Sequence, residues 1–269
     1  MAPGTRRTVL LIAFAALAGW AWALALVIGV WRWNSVVRVG PPERALFPYG
    51  ELRVAIDPSN PPFAFPDGAG FSGIEPELAR ALGARLGVPV RLVPQGFDGL
   101  YDSVRADLAD VALAGLVINP ARTNDVRYSM PYFNAGLVLV TRSALSPLTS
   151  DAGFQGRVAV AYGGDAQAEA QRWLRRVDPF TIQAYETPEN ALDAVRLGEA
   201  DAALVDAVAA GRYRATHLDW PIAETEVSVV PYAAVLRRDR PALGDALERT
   251  LADVIADGTL QIIIERSLH

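Results

Sequence analysis

Two sixteen-residue stretches of this chain, LYDSVRADLADVALAG from Leu100 and ALDAVRLGEADAALVD from Ala191, align without gaps at a separation of 91 positions. Seven of the sixteen positions are identical, at Asp102/Asp193, Val104/Val195, Arg105/Arg196, Ala109/Ala200, Asp110/Asp201, Ala112/Ala203 and Leu113/Leu204. Each copy reads as a helix, a tight turn and a buried strand. Repetition of a whole supersecondary unit points to two similarly built lobes. The copies end at Gly115 and Asp206. Open α/β sheets bind ligands outside the carboxyl ends of their strands at a switch point, so these two ends are expected to face a shared site. That expectation singles out Asp206 and the segment from Gly115 through Val117 to Arg122.

The rest of the chain fits such an arrangement. Short β-type runs at Leu52 to Ile56, Val90 to Val93, Val111 to Ala114 and Val158 to Ala161 alternate with amphipathic helical patterns, which predicts an α/β fold. The clearest helix spans Glu75 to Leu86, with Pro76 in its first turn, Leu78, Ala81, Leu82 and Leu86 along one stripe, and Gly87 as a stop. Its charged residues are expected on a solvated face.

About forty N-terminal residues stand apart. Val9 to Trp31 is an uncharged run of 23 residues. As a helix it would span about 34 Å, enough to cross a bilayer. Residues 1–8 are therefore expected to be a cytoplasmic tail, 9–31 a single-pass transmembrane anchor or uncleaved signal, and 32–50 a linker ending in GPPERALFPYG. Trp31 and Trp33 suit an interfacial belt. Ala21, Ala23 and Ala25 offer the alternative of a cleaved signal peptide. The anchor reading places a binding domain on the extracytoplasmic face of the cell membrane.

Composition removes several kinds of chemistry. The first forty residues hold four arginines and no acid, which leaves the remainder with 21 basic and 30 acidic residues, a net charge of −9. Such a domain is not expected to bind nucleic acid. All 25 basic residues are arginine, so Schiff-base and P-loop lysines are excluded. With no cysteine, thiol nucleophiles, thiolate metal sites, disulfides and a lipidated-cysteine anchor are excluded too. Two histidines, His217 and His269, do not make a metal cluster, and no cofactor is expected.

Arg122 carries the main local signal. Asn119 is a good N-cap and Pro120 a good first helical residue, so Arg122 is expected in the first turn of a following helix. A planar guanidinium beside free backbone N–H groups would suit a carboxylate.

From Glu51 to the C-terminus the sequence resembles the bacterial extracellular solute-binding proteins of family 3, the polar amino acid class. The resemblance is carried by VAIDPSNPPFAF from Val54, GIEPELARALGARLG from Gly73, FDGLYDSV from Phe97 and ADVALAGLVINPAR from Ala109. It continues through MPYF from Met130, VAVAYGGDA from Val158, ADAALVD from Ala200 and ADGTLQIIIERSL from Ala256. It implies a two-lobed, type II periplasmic-binding-protein fold with a hinge, one lobe formed by 51–138 and 230–269 and the other by 139–229. The resemblance further implies closure on an amino acid delivered to an ABC transporter permease. Arg122 would then grip the ligand's carboxylate and Asp206 its ammonium, helped by the carbonyls of Ala114 or Gly115. Phe63 and Phe97 would wall the side-chain pocket. Asp57, Asn60 and Glu75 would stand at or near the first-lobe rim, where loop solvation or helix capping is the competing role. Backbone N–H groups at Gly164 and Asp165 would complete the carboxylate site.

Two departures bear on the ligand. Asn119 stands where the family usually has threonine, and Gly164-Asp165 replaces small hydroxyl residues. A carboxylate at position 165 would repel a ligand carboxylate unless it points away. Two alternatives share the fold: a periplasmic dehydratase acting on prephenate or arogenate, and a ligand sensor acting through a membrane partner.

Overall fold

The computed structural model describes residues 45–142, 156–176, 180–220 and 223–268. The expected tail, the span from Val9 to Trp31 and the linker up to residue 44 lie outside the described residues. Among those described, no helix is long and apolar enough to cross a membrane. The linker does end earlier than expected. Phe47 is buried in the main core, Leu46 packs against it, and the Leu46 carbonyl accepts a hydrogen bond from Arg240. Leu46 and Phe47 thus belong to the packed domain, because an aromatic side chain in the PERALFPYG stretch has core to fill.

The strands are β1 (Leu52–Ile56), β2 (Phe65–Asp67), β3 (Gly70–Ser72), β4 (Val90–Pro94), β5 (Val111–Ala112) and β6 (Val126–Asn134). They continue with β7 (Leu137–Thr141), β8 (Arg157–Ala161), β9 (Thr181–Tyr185), β10 (Ala202–Asp206), β11 (Ala223–Glu226) and β12 (Pro231–Arg237). The helices are α1 (Ile74–Leu86), α2 (Leu100–Arg105), α3 (Asp165–Trp173), α4 (Pro188–Leu197), α5 (Ala207–Thr216), α6 (Pro241–Ala256) and α7 (Thr259–Leu268). Gly87 ends α1 in the left-handed conformation, as the sequence signal required.

Two five-stranded sheets form, with orders β4-β1-β5-β12-β6 and β9-β8-β10-β7-β11. They match strand for strand. In the first, β1 runs parallel to β4 and β5, and β12 runs antiparallel to β5 and β6. In the second, β8 runs parallel to β9 and β10, and β7 runs antiparallel to β10 and β11. The repeated stretches occupy equivalent places, α2–β5 and α4–β10. Central strands are covered on both faces, which explains their continuous apolar runs. Leu52, Val54 and Ile56 face a core shared with α1 and α6, while Ala55 joins Leu100 and Val104 on the other side.

An arginine–aspartate clamp recurs in both sheets. In the first, Asp110 accepts from Arg53 N, Nε and Nη2 at 2.9, 3.1 and 2.8 Å. In the second, Asp201 accepts from Arg157 N, Nε and Nη2 at 2.8, 3.2 and 3.3 Å. Each clamp fixes the start of β5 or β10 against its parallel neighbour, β1 or β8.

The chain crosses between sheets at 135–136 and again at 227–230. Val138 already belongs to β7, so the boundary expected at 138/139 lies a few residues too late. Asn134 ties the crossovers together: its Oδ1 accepts from Gly136 N and Val230 N, and its Nδ2 donates to Glu226. Gly136 is required there, since a Cβ would stand 1.9 Å from the Ser228 carbonyl oxygen.

The two clamps differ in burial, and this separates their energetic weight. Arg53 and Asp110 side chains are 4% and 1% exposed, whereas Arg157 and Asp201 are 42% and 40% exposed. Asp110→Ala leaves the buried Arg53 guanidinium with the more exposed Asp107, 2.6 Å away, as its carboxylate partner and is expected to cost about 3 kcal/mol in urea unfolding. Asp201→Ala should cost a small fraction of that. Equal losses would show that the clamps act through local backbone geometry instead.

Candidate functional site

Residues at the carboxyl ends of the first sheet gather around Gly115. Asp57 follows β1 and is buried, its Oδ1 accepting from Ser59 N and Oγ at 3.0 and 2.7 Å. Ala114 is buried, Asn60 is half-buried and Val117 is exposed. Gly115 has φ +58°, and its N–H donates to Glu75 Oε1 at 2.6 Å. Tyr132 donates its hydroxyl to the same oxygen at 2.6 Å. Glu75 is therefore not at the rim. It is fully buried in the first turn of α1, beneath the loop it was expected to border, with Oε2 lacking a hydrogen bond. It also leaves the solvated face expected for the charges of α1, because Gly115 and Tyr132 offer donors inside.

Phe63 is also displaced from its expected role. It is 3% exposed and packs edge-on against Phe133 at 5.1 Å and Tyr232 at 5.2 Å, so it belongs to an interior aromatic cluster rather than to an open wall. Phe97, by contrast, is 55% exposed in a short 3₁₀ turn.

Asn119 caps as expected, accepting from Ala121 N at 3.0 Å. The element it caps is a three-residue 3₁₀ turn, Pro120–Arg122, and the chain then runs on into β6. An α-helix does not follow, since Thr123, Asn124 and Asp125 supply turn chemistry just before a β-branched and aromatic run. The expected helix-end potential at Arg122 is absent. Arg122 instead lies over the Tyr101 ring at 4.2 Å and is exposed, with no carboxylate partner among the described residues. Arg105, matched to Arg196 by the repeat, is an exposed helix residue 3.8 Å from Asp102 and serves as a comparison for Arg122.

The second sheet contributes a cavity of about 410 Å³ at its strand ends. Gly164, Asp165 and Asp206 line it together with Glu169, Arg172 and Ser228. Gly164 is the N-cap of α3, with Asp165 as the first helical residue. Asp206 ends β10 and caps α5, its Oδ1 accepting from Ala209 N at 2.8 Å. Its other oxygen has no hydrogen bond from the described residues. The capping role and the cavity-lining role thus use different oxygens. Glu169 pairs with Arg172 at 3.1 Å, so the carboxylates of Asp165 and Asp206 leave this cavity acidic.

Sequence reasoning missed Tyr132 and Tyr232. Both sit beside Gly115, and Tyr232 pairs by a β-bridge with Val117. Tyr132 lies in the MPYF motif, and Tyr232 follows the proline that opens the returning strand. Neither position announces its partner.

Matched five-stranded sheets joined by two crossovers define a two-lobed periplasmic-binding-protein fold. The chain belongs to the bacterial extracellular solute-binding proteins, family 3, whose profile matches residues 52–268. It is 28% identical over 222 residues to the L-cystine-binding protein TcyJ of Escherichia coli, covering 81% of this chain and 82% of that one. An ancestral cationic amino acid solute-binding protein superposes with a TM-score of 0.57 at 25% identity, covering 85% of this chain and all of that one. An ancestral cyclohexadienyl dehydratase gives a TM-score of 0.69 at 24% identity, covering 87% and 97%, and shows the same fold.

Burial raises the Glu75 carboxyl from an ordinary value near 4.5 to about 7, partly offset by the Tyr132 and Gly115 hydrogen bonds. The native chain then keeps a proton that the unfolded chain has lost, so stability falls as pH rises from 4.5 through 7 and levels off above. The loss amounts to about 3 kcal/mol at ~1.4 kcal/mol per unit. Glu75→Gln removes the titration and keeps an acceptor. Its urea-derived stability should fall about 3 kcal/mol less than the parent's between pH 4.5 and about pH 8, and parallel curves would refute this.

Proposed function

We propose that this chain binds an amino acid or related small zwitterion between its two lobes, outside the cytoplasm, and passes it to an ABC-type importer at the membrane. The observation that carries this reading is a pair of unspent charges, one on the turn between β5 and β6 and one at the end of β10. Arg122, in the first lobe, has no carboxylate partner among the described residues, and Asp206, in the second, has one oxygen unused. A ligand carrying both a carboxylate and an ammonium supplies what each lacks. Because the two groups sit on different lobes, one ligand makes its full set of contacts only when the lobes close, and that differential contact drives closure. Phe97, Asn60, Ala114, Gly115 and Val117 would line the first-lobe half of the site, and Asn119 would fix the turn that presents Arg122.

The acidic second-lobe cavity orients the ligand. An ammonium faces Asp206 and Asp165, and the carboxylate faces Arg122. Family membership and the cystine-binding relative support an amino acid as the ligand class. In this reading the ligand leaves unchanged, and the N-terminal apolar run keeps the binding domain at the membrane.

Arg122→Ala should cost about 2–5 kcal/mol of binding, roughly thirty-fold to several thousand-fold in Kd, while Arg105→Ala leaves it unchanged. Calorimetry with equal losses for both would discard the Arg122 site. Asp206→Asn keeps a competent helix cap and should therefore spare the fold while weakening amino acid binding and abolishing ligand-driven compaction in X-ray scattering. Unchanged Kd and compaction would remove Asp206 from the site.

A further inference from the structure

Tyr232 is the second residue of β12, where the chain has just returned from the second sheet. Its backbone bridges antiparallel to Val117, and the next N–H, of Ala233, donates to the Leu116 carbonyl at 2.9 Å. The residue is thereby tied to the loop that carries Gly115 and Arg122. Its ring is held from behind by Phe63 at 5.2 Å and Phe133 at 6.1 Å. The hydroxyl end reaches over Gly115: a Cβ built there would stand 3.1 Å from Tyr232 Cε2 and 3.4 Å from Cζ. Glycine at 115 and the tyrosine ring thus fill one space between them.

The Tyr232 hydroxyl makes no hydrogen bond to the described residues, although the ring is half-buried. Burial holds the phenol above its ordinary value, and Glu75 from the first lobe and Asp206 from the second push it the same way. The hydroxyl therefore stays protonated, within electrostatic reach of both acids. The first lobe thus offers a hydroxyl without a partner among the described residues, and the second brings Val208, two residues past Asp206, against the same aromatic cluster, with one Asp206 oxygen unused. An ammonium has three N–H donors and no acceptor, which suits a carboxylate oxygen and a hydroxyl oxygen together. The adjoining aromatic ring adds attraction for a cation.

We propose that Tyr232 is a specificity-determining residue of the ligand site, its hydroxyl accepting one N–H of the ligand's ammonium while Asp206 accepts another, so that tight binding demands a protonated amine. The assignment rests on the amino-acid-binding reading above. Gly115 is part of the same device, since a side chain there would displace the ring.

The test is calorimetry on the full chain, as parent, Tyr232→Phe and Tyr232→Leu, with L-cystine and L-arginine and their des-amino analogues dithiodipropionate and guanidinovalerate. Tyr232→Phe keeps the ring and should weaken whichever amino acid the parent binds by about tenfold or more, the weight of a hydrogen bond to a charged group. It should change the analogue's Kd by less than about twofold. Tyr232→Leu should lose more, because the ring goes too. An analogue that the parent itself fails to bind meets the same demand for an amine and supports the proposal. Equal losses for amino acid and analogue, or an unchanged amino acid Kd in Tyr232→Phe, would overturn it while leaving amino acid binding intact. A parent that binds none of L-cystine, L-arginine and the other standard amino acids in a thermal-shift screen would overturn the underlying reading and this assignment with it.

Discussion

The placement of both halves of the site depends on one interaction made twice, the clamp of an aspartate at the start of a strand on the arginine of its parallel neighbour. Asp110 holds Arg53 and Asp201 holds Arg157, each through backbone N, Nε and Nη2. A parallel strand of two to five residues has few ladder bonds with which to set its register. A bidentate side-chain clamp supplies the missing specification. With the strand's start fixed, its end is fixed as well: five residues on from each aspartate lie Gly115 and Asp206. The candidate site is thus positioned from the far end of its own strands. In the first lobe the clamp is almost wholly buried and Asp110 also takes Arg240 at 3.0 Å, so one carboxylate joins β1, β5 and the entry to α6.

The repeat showed why two lobes were legible and why the clamp was not. Seven identities in an ungapped window identify the helix–turn–strand unit, and Asp110/Asp201 is one of them. Its partner lies 57 residues upstream in one lobe and 44 in the other, so no single offset connects both arginines. The first lobe spends the difference on the segment that carries Asn60, Phe63 and the β2–β3 hairpin. That same segment is what the second lobe lacks, which gives the first lobe an aromatic cluster at its strand ends and leaves the second an open acidic cavity.

Fold class, element order and the caps at Asn119 and Gly87 were readable because each rests on local chemistry. Two of the misreadings have a non-local cause. Glu75 looks like a helix-start acid in any sequence, and only the turn at Gly115 and the hydroxyl of Tyr132, forty and fifty-seven residues away, convert it to a buried acceptor. The resemblance cast Phe63 as a pocket wall, and the partners that bury it instead, Phe133 and Tyr232, arrive from β6 and β12. The helix expected after Pro120 failed for a local reason that was underweighted: three turn-forming residues precede a strand, and a cap with proline serves a 3₁₀ turn as well as an α-helix.

In the proposed function, Asp206 would combine a structural duty with a ligand-binding one in a single side chain. Capping α5 fixes the χ angles of the carboxylate, so the oxygen left over is held in one direction without further support. Preorganisation of that kind removes side-chain entropy that binding would otherwise cost. Glu75 does the corresponding work in the first lobe: by accepting from the Gly115 N–H it turns the loop between Ala114 and Val117 into a fixed surface. Arg122 is the exception, held mainly by the Tyr101 ring on an exposed turn. A stacked guanidinium keeps its fork free, and the stacking limits how far it must be reordered when a carboxylate arrives. In the proposed site the second-lobe carboxylate would be rigid and the first-lobe cation adjustable, an asymmetry that would suit closure of the two lobes on a ligand.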